Sequence, residues 1–214
     1  MKKSIYLVPV GTVEEALLEA IAQAVERTFD RPCRVGERLV DPNYAYDRRR
    51  RQYRVGEILS HLRRLDMPQA HRLLGLVDQD CYTPGLNFVF GQAMAGGRDA
   101  VVALPRLRQE FYGLPEDEVL FKERAIKEAV HELGHTYGLG HCPNSRCVMH
   151  FPIAWPTPIS RGSLSAALAE GSWMRLVYDR EERFSYRLGS LSVSHNRLSH
   201  SGILASGMES PLGR

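Results

Sequence analysis

Residues 131–141 read His131-Glu132-Leu133-Gly134-His135-Thr136-Tyr137-Gly138-Leu139-Gly140-His141. On an α-helix, positions four apart share a face, so His131 and His135 present their imidazoles to one point. Glu132 lies about 100° round the helix from His131. It borders that point rather than occupying it, where a proton acceptor for a polarised water belongs. Gly138 permits the left-handed turn that ends the helix, and the chain then swings His141 back towards the same point. Three neutral imidazoles suit zinc better than magnesium or calcium. Three protein ligands leave a fourth position open for water, the pattern of a catalytic zinc. With ordinary residue frequencies, a chance match to all five fixed positions is on the order of one in 10⁴ to 10⁵ for a chain this long.

Upstream of this segment the chain alternates strand-like and helix-like stretches. Ile5-Tyr6-Leu7-Val8-Pro9-Val10 reads as a buried strand. Thr12 with Glu15 forms the pattern of a capping box, and Val13, Ala16, Leu17, Ala20, Ile21, Ala24 and Val25 keep a helical period. Cys33-Arg34-Val35 and Leu39-Val40 suggest a short second strand. Val55, Ile58, Leu59, Leu62 and Leu65 mark a second amphipathic helix, stopped by Pro68. Three further strands are predicted at 73–78, 86–90 and 100–104, with 92–99 as a glycine-bearing loop. A third helix starts near Glu116 and runs through His135. The order β-α-β-α-β-β-β-α predicts an α+β fold, a mixed sheet packed on helices. Ala100 to Leu104 is read either as a buried strand or as an edge strand able to pair with an extended peptide. Beyond Phe151 the pattern fades, with a short helix at 163–169 and a strand at 184–191 as the only candidates.

Composition narrows the class. Of 214 residues, 43% are hydrophobic and 25% charged, with a net charge of +3. These values fit a globular chain that buries its own core. No run approaches about 18 apolar residues, so no membrane span is expected. The apolar run after Lys2-Lys3 ends at Val10, too short for a secretory signal, which predicts a cytoplasmic protein. The charge is too mild to imply nucleic acid. Arg48-Arg49-Arg50-Arg51 reads as a solvated loop before a helix. Tyr137 reads as a packing residue, and Cys33 and Cys81 as small core residues.

The third histidine is followed by Cys142, then Cys147, Val148 and Met149. The pattern H-E-x-x-H-x-x-G-x-x-H-C-x4-C-x-M resembles the archaemetzincins, a family of metzincin zinc metallopeptidases. Leu73-Gly75-Leu76-Val77-Asp78 and Pro84-Gly85-Leu86-Asn87-Phe88-Val89-Phe90-Gly91 are similar to the body of that family, so the likeness spans residues 4–151. It implies a metzincin-like catalytic domain over residues 1–151, with the active-site helix and a sheet lining a cleft. Met149 would sit in the tight turn beneath the zinc, and the substrate would be a peptide or small protein. The implied chemistry is amide hydrolysis: His131, His135 and His141 hold a zinc whose water has a pKa lowered to about 7. Glu132 is the general base.

Two departures stand out. In the family, Cys142 and Cys147 are half of a second, structural zinc site whose other half is a downstream C-x-x-C. Here Ala167 and Glu170 occupy those positions, and no cysteine follows Cys147. Two thiolates do not close a tetrahedron. Replacement ligands would have to be His150, His195 or His200. The second zinc is therefore expected to be absent or poorly held, leaving Cys142 and Cys147 reduced or able to form a disulfide. The likeness also stops at Phe151. All four lysines precede that point, and 12 serines fall in the 63 residues after it. Residues 152–214 thus read as an atypical tail, either a divergent extension or the product of a shifted reading frame. A zinc-binding protein of peptidase ancestry, weakly active or inactive and with a binding or regulatory role, is the alternative to the enzyme.

Overall fold

The computed structural model describes residues 2–144 and 147–150, together with the backbone of 186–188, 191–193 and 203–208. Strand β1 (Ser4–Val10), helix α1 (Glu15–Phe29) and strand β2 (Cys33–Val35) come first. A small hairpin of β3 (Tyr46–Asp47) and β4 (Gln52–Arg54) leads into helix α2 (Val55–Arg63). Strands β5 (Ala70–Val77), β6 (Cys81–Tyr82), β7 (Phe88–Met94) and β8 (Asp99–Ala103) follow, and then helix α3 (Glu118–Thr136). The later strands are β9 (Tyr186–Leu188), β10 (Leu191–Val193) and β11 (Ile203–Met208). The main sheet runs β2-β1-β5-β8-β7-β6-β4-β3, with β11 on β7, and β9 and β10 form a separate antiparallel pair. β2, β1, β5 and β8 are parallel to one another, and β7 is antiparallel to β8. This is the mixed sheet with helices that the sequence pattern predicts.

The apolar strands sit at the centre because both their faces are covered. Ile5, Leu7, Leu74, Leu76, Ala100 and Val102 face α1 and α3, where Leu17, Ile21, Val25, Phe121, Ala125, Ala129 and Leu133 complete one core. Val8, Val10, Leu73, Val77, Val101 and Ala103 face α2, packing on Val55, Ile58, Leu59 and Leu62. The ligand-bearing helix α3 therefore lies on the same face as α1. Its start is fixed by Asp117, whose carboxylate accepts the Leu120 N–H at 3.0 Å.

Several local expectations are corrected. The capping box at Thr12 and Glu15 is not made. Glu14 takes the cap position without a side-chain bond, and α1 ends instead with Asp30 in the left-handed region at φ 46. Residues 92–94 belong to β7 and Asp99 to β8, which shrinks the loop to a tight turn with Gly96 at φ 64. Strand 100–104 is no edge: β8 pairs with β5 on one side and β7 on the other, and all five of its residues are buried. The arginine run is an exposed turn between β3 and β4, as expected of a solvated loop, and from it the Arg50 guanidinium lies 4.1 Å from the Tyr82 ring centroid and donates to the Leu86 and Asn87 carbonyls. The strand expected at 184–191 is replaced by the shorter β9 and β10. The helix expected at 163–169 lies outside the described residues. Among the described residues, no helix is long and apolar enough to cross a membrane.

Leu76 is fully buried near the C-terminal end of β5, in the core shared with α1 and α3. Leu76→Ala is expected to destabilise the fold by about 2–5 kcal/mol through lost transfer energy and a residual cavity. Urea unfolding followed by circular dichroism reads the change.

Candidate functional site

Helix α3 carries His131, Glu132 and His135 in its last two turns, where they are 3%, 0% and 0% exposed. The helix stops after Thr136, and Gly138 takes φ 84. That turn brings His141 back, so one nitrogen from each of His131, His135 and His141 lies within 4.8 Å of the others. Among the described residues this is the one group of three or more side chains able to share a metal ion.

The tautomers are set by backbone carbonyls. His131 Nδ1–H donates to Val148 O at 2.8 Å, and His135 Nδ1–H donates to Leu139 O at 2.6 Å. Each Nε2 therefore carries a lone pair and no proton. These two atoms face each other at 3.0 Å. Two lone pairs at that distance repel, and a cation between them turns the repulsion into ligation. The donor set thus fits a metal ion. Burial pushes the His131 and His135 imidazoles down to about 4, outweighing the carbonyl bonds that favour their charged forms. His141 is lowered as well, again mainly by burial. Neutral imidazole is the form that ligates.

The helix end is clamped from several sides. The Gly96 amide, in the turn between β7 and β8, donates to the His135 carbonyl at 3.0 Å. Arg72, from β5, donates to Thr136 Oγ1 at 3.1 Å and lies over the Tyr137 ring. Tyr137 itself stacks on Phe29 with ring centroids 5.1 Å apart. Tyr137 is thus a packing residue that ties α1 to the end of α3.

Met149 is buried, and the turn around it holds the ligands. A Cβ at Gly134 would lie 2.6 Å from Met149 Sδ, so the missing side chain there admits the methionine against α3. The Cys142 amide donates to Met149 O at 2.8 Å, closing the loop that carries His141. The carbonyl next to Met149 is the Val148 oxygen that fixes His131. Cys142 and Cys147 are free thiols, half-buried and close enough to share a hydrogen bond. No third ligand joins them among the described residues. Of the replacement ligands, His150 turns its Nδ1 to the Cys142 carbonyl at 3.0 Å, while His195 and His200 lie outside the described residues. Cys81 is buried in the core on the α2 face, and Cys33 packs against the core on the α1 and α3 face.

Four contributors escape sequence reasoning. The carbonyls of Val148 and Leu139 leave no trace in residue type. Gly134 lies inside the motif, but its contact with Met149 depends on the return of the chain. Gly91 sits against Glu132, and its only signal is a glycine at the end of an apolar strand.

The comparisons with known proteins agree with this geometry. A family model described as peptidase family M54 matches residues 13–155. The chain is 52% identical to the archaemetzincin of Pyrococcus horikoshii over 109 residues, which is 50% of this chain and 58% of that protein. It is 42% identical to the archaemetzincin of Pyrococcus furiosus over 159 residues, covering 71% of this chain and 82% of that one. The crystal structure of archaemetzincin from Methanopyrus kandleri superposes with a TM-score of 0.62 at 33% identity, covering 80% of this chain and 96% of that chain. A mixed sheet with a histidine triad at the end of its long helix is the layout of a metzincin-type metallopeptidase. The chain belongs to peptidase family M54, the family of the archaemetzincins.

His71 packs behind the site, its ring 5.6 Å from that of Tyr137. Burial, with the charges of Arg72, Arg31 and Lys3, pushes it down to about 4. In the unfolded chain it titrates near 6.5. Between those values the unfolded state holds more protons, so stability falls as pH falls from 6.5 towards 4. His71→Phe removes this contribution. In urea titrations between pH 4.5 and 7, the variant is expected to gain on the parent as pH drops, whereas parallel curves would refute it.

Proposed function

We propose that this chain is a zinc-dependent metallopeptidase that hydrolyses peptide bonds in the cytoplasm, with catalysis assigned to residues 1–151. One observation carries the reading: the bare Nε2 atoms of His131 and His135 meet at 3.0 Å beside His141, with Glu132 fully buried next to His131 in the same helix. His131, His135 and His141 would hold the zinc. When bound, the ion supplies Lewis acidity to the scissile carbonyl and lowers the pKa of a water. Glu132 accepts that proton and delivers it to the leaving amine. Gly138 turns the chain so that His141 joins the cluster, and Met149 supports the helix from below.

Family membership points to peptide substrates. Strand β7 passes directly over Glu132, so its outer edge is the place for an extended peptide to align by backbone pairing. Only the first zinc is assigned; Cys142 and Cys147 take no part in the reaction. Those two unmatched thiols favour a second reading, a zinc-binding protein of peptidase ancestry with little turnover. A pure binding site has no use for a carboxylate beside the ligands, which favours the enzyme.

Zinc content and chelator-sensitive cleavage of a mixed peptide library separate the readings. Glu132→Gln is expected to retain one zinc per chain and lose at least about 10²-fold in kcat. His131→Ala is expected to lose the zinc itself. Undiminished cleavage by Glu132→Gln, or a tightly held ion in His131→Ala, overturns the assignments.

A further inference from the structure

We propose that Gly91 is a positioning residue that sets where the Glu132 carboxylate stands; this rests on Glu132 being the proton acceptor. A Cβ built at Gly91 would lie 2.5 Å from Glu132 Cγ and 2.7 Å from Glu132 Oε1. Space is the reason for glycine here, because Gly91 is not among the positive-φ residues and any side chain fits its backbone conformation. The strand is shaped to create this contact. Phe88, Phe90 and Ala93 all pack into the core on the α3 face. A strict two-residue alternation would send Ala93 to the opposite face from Phe88 and Phe90. Pairing with β11 locates the phase change: Ser206 matches Gly91 and Gly207 matches Val89, so Phe90 is an extra, bulged residue. A bulge re-aims the residues that follow it. Position 91 is turned towards α3 instead of α2 and meets the side chain of Glu132.

A methyl group at position 91 displaces the carboxylate while leaving the three histidines alone. Gly91→Ala is expected to keep its zinc and its KM within about twofold and to lose about 100-fold in kcat, the usual cost of an ångström's misplacement. Glu132→Ala removes Cγ and the carboxylate, the atoms that the added methyl would meet. In the Glu132→Ala background, where no carboxylate remains to displace, Gly91→Ala should therefore cost little further in residual kcat. Thermal unfolding gives a readout independent of turnover: Gly91→Ala should lower Tm in the parent and leave it nearly unchanged beside Ala at 132. An equal drop in Tm in both backgrounds means a merely structural glycine and overturns the proposal. If the coupling appears in Tm while no form cleaves peptide, the proposal about Gly91 stands and the peptidase reading fails.

A different observation carries a second inference: residues 203–208 occupy the sheet edge at which a peptide would align, as an occupant built into the chain. Gln92 pairs with Val101 of β8 and also with Ala205 of β11. A strand has two edges, so β11 takes the outer edge of β7. Its antiparallel register runs from Ile203 opposite Met94 to Met208 opposite Phe88 and passes Gly91, the residue against Glu132. One backbone edge pairs with one strand at a time, so β11 competes with substrate; this rests on β7 being the aligning strand.

The test keeps the full chain and substitutes Leu204→Pro together with Ala205→Pro, which removes two adjacent backbone donors, one on each edge of the strand. The probe is a fluorescent peptide of sequence Ile-Leu-Ala-Ser-Gly-Met, followed by anisotropy. The variant is expected to bind it at least about tenfold more tightly than the parent. Equal affinity, or binding by neither, overturns the inference. Tighter binding without cleavage by either protein leaves it standing and sinks the peptidase reading.

Discussion

The hydrogen bond from His131 to the Val148 carbonyl is the contact on which the rest of the site depends. It joins the last helix of the folded domain to the turn that follows the third histidine. It decides which imidazole nitrogen faces its neighbours, and so whether the cluster is a set of donors or of acceptors. It also requires the chain to come back under α3, and that return is possible because Gly134 leaves room for Met149. The helix, the turn and the ligand chemistry are thereby one mechanical unit. A change in the turn reaches the metal site through a backbone oxygen, without any ligand being altered.

Much of this was legible in the sequence because it is local. The spacing of His131 and His135, the glycine that ends the helix and the return of His141 all follow from helical geometry within eleven residues. The central strands announced themselves as apolar runs, since parallel strands are buried on both faces. What stayed hidden is non-local or made of backbone. β3, β4 and β6 are two or three residues long and exist through their neighbours, not through any pattern of their own. The strand at 100–104 was ambiguous because periodicity does not say whether a strand has one neighbour or two. Arg50 reads as part of a charge run, yet its guanidinium lies over the Tyr82 ring. Residue type alone does not reveal such a platform.

Electrostatics separates two regions of the domain. Just beyond the C-terminal end of β5, charges are paired at close range, as in Arg106 with Asp80 and Arg108 with Asp78. Around the histidines the partners are carbonyls and other imidazoles. A site meant to hold a cation is surrounded by lone pairs and by few fixed positive charges, of which Arg72 is directed to Thr136 and Tyr137. The cysteine pair fits neither pattern. It lies on the return loop beside the third ligand, with two donors where a closed ion site needs four.

The order of elements along the chain has a consequence for biosynthesis. Strands β1 to β8 all precede residue 104, whereas α3 begins at Glu118 and His141 comes later still. As the chain leaves the ribosome, the parallel centre of the sheet and helices α1 and α2 can associate before any metal ligand has emerged. The histidines then arrive on a surface already shaped to receive them, and their carbonyl partners follow, Leu139 four residues after His135 and Val148 17 residues after His131. An ion held by this triad would thus be captured late in the life of the nascent chain, after the sheet that flanks its ligands has been made.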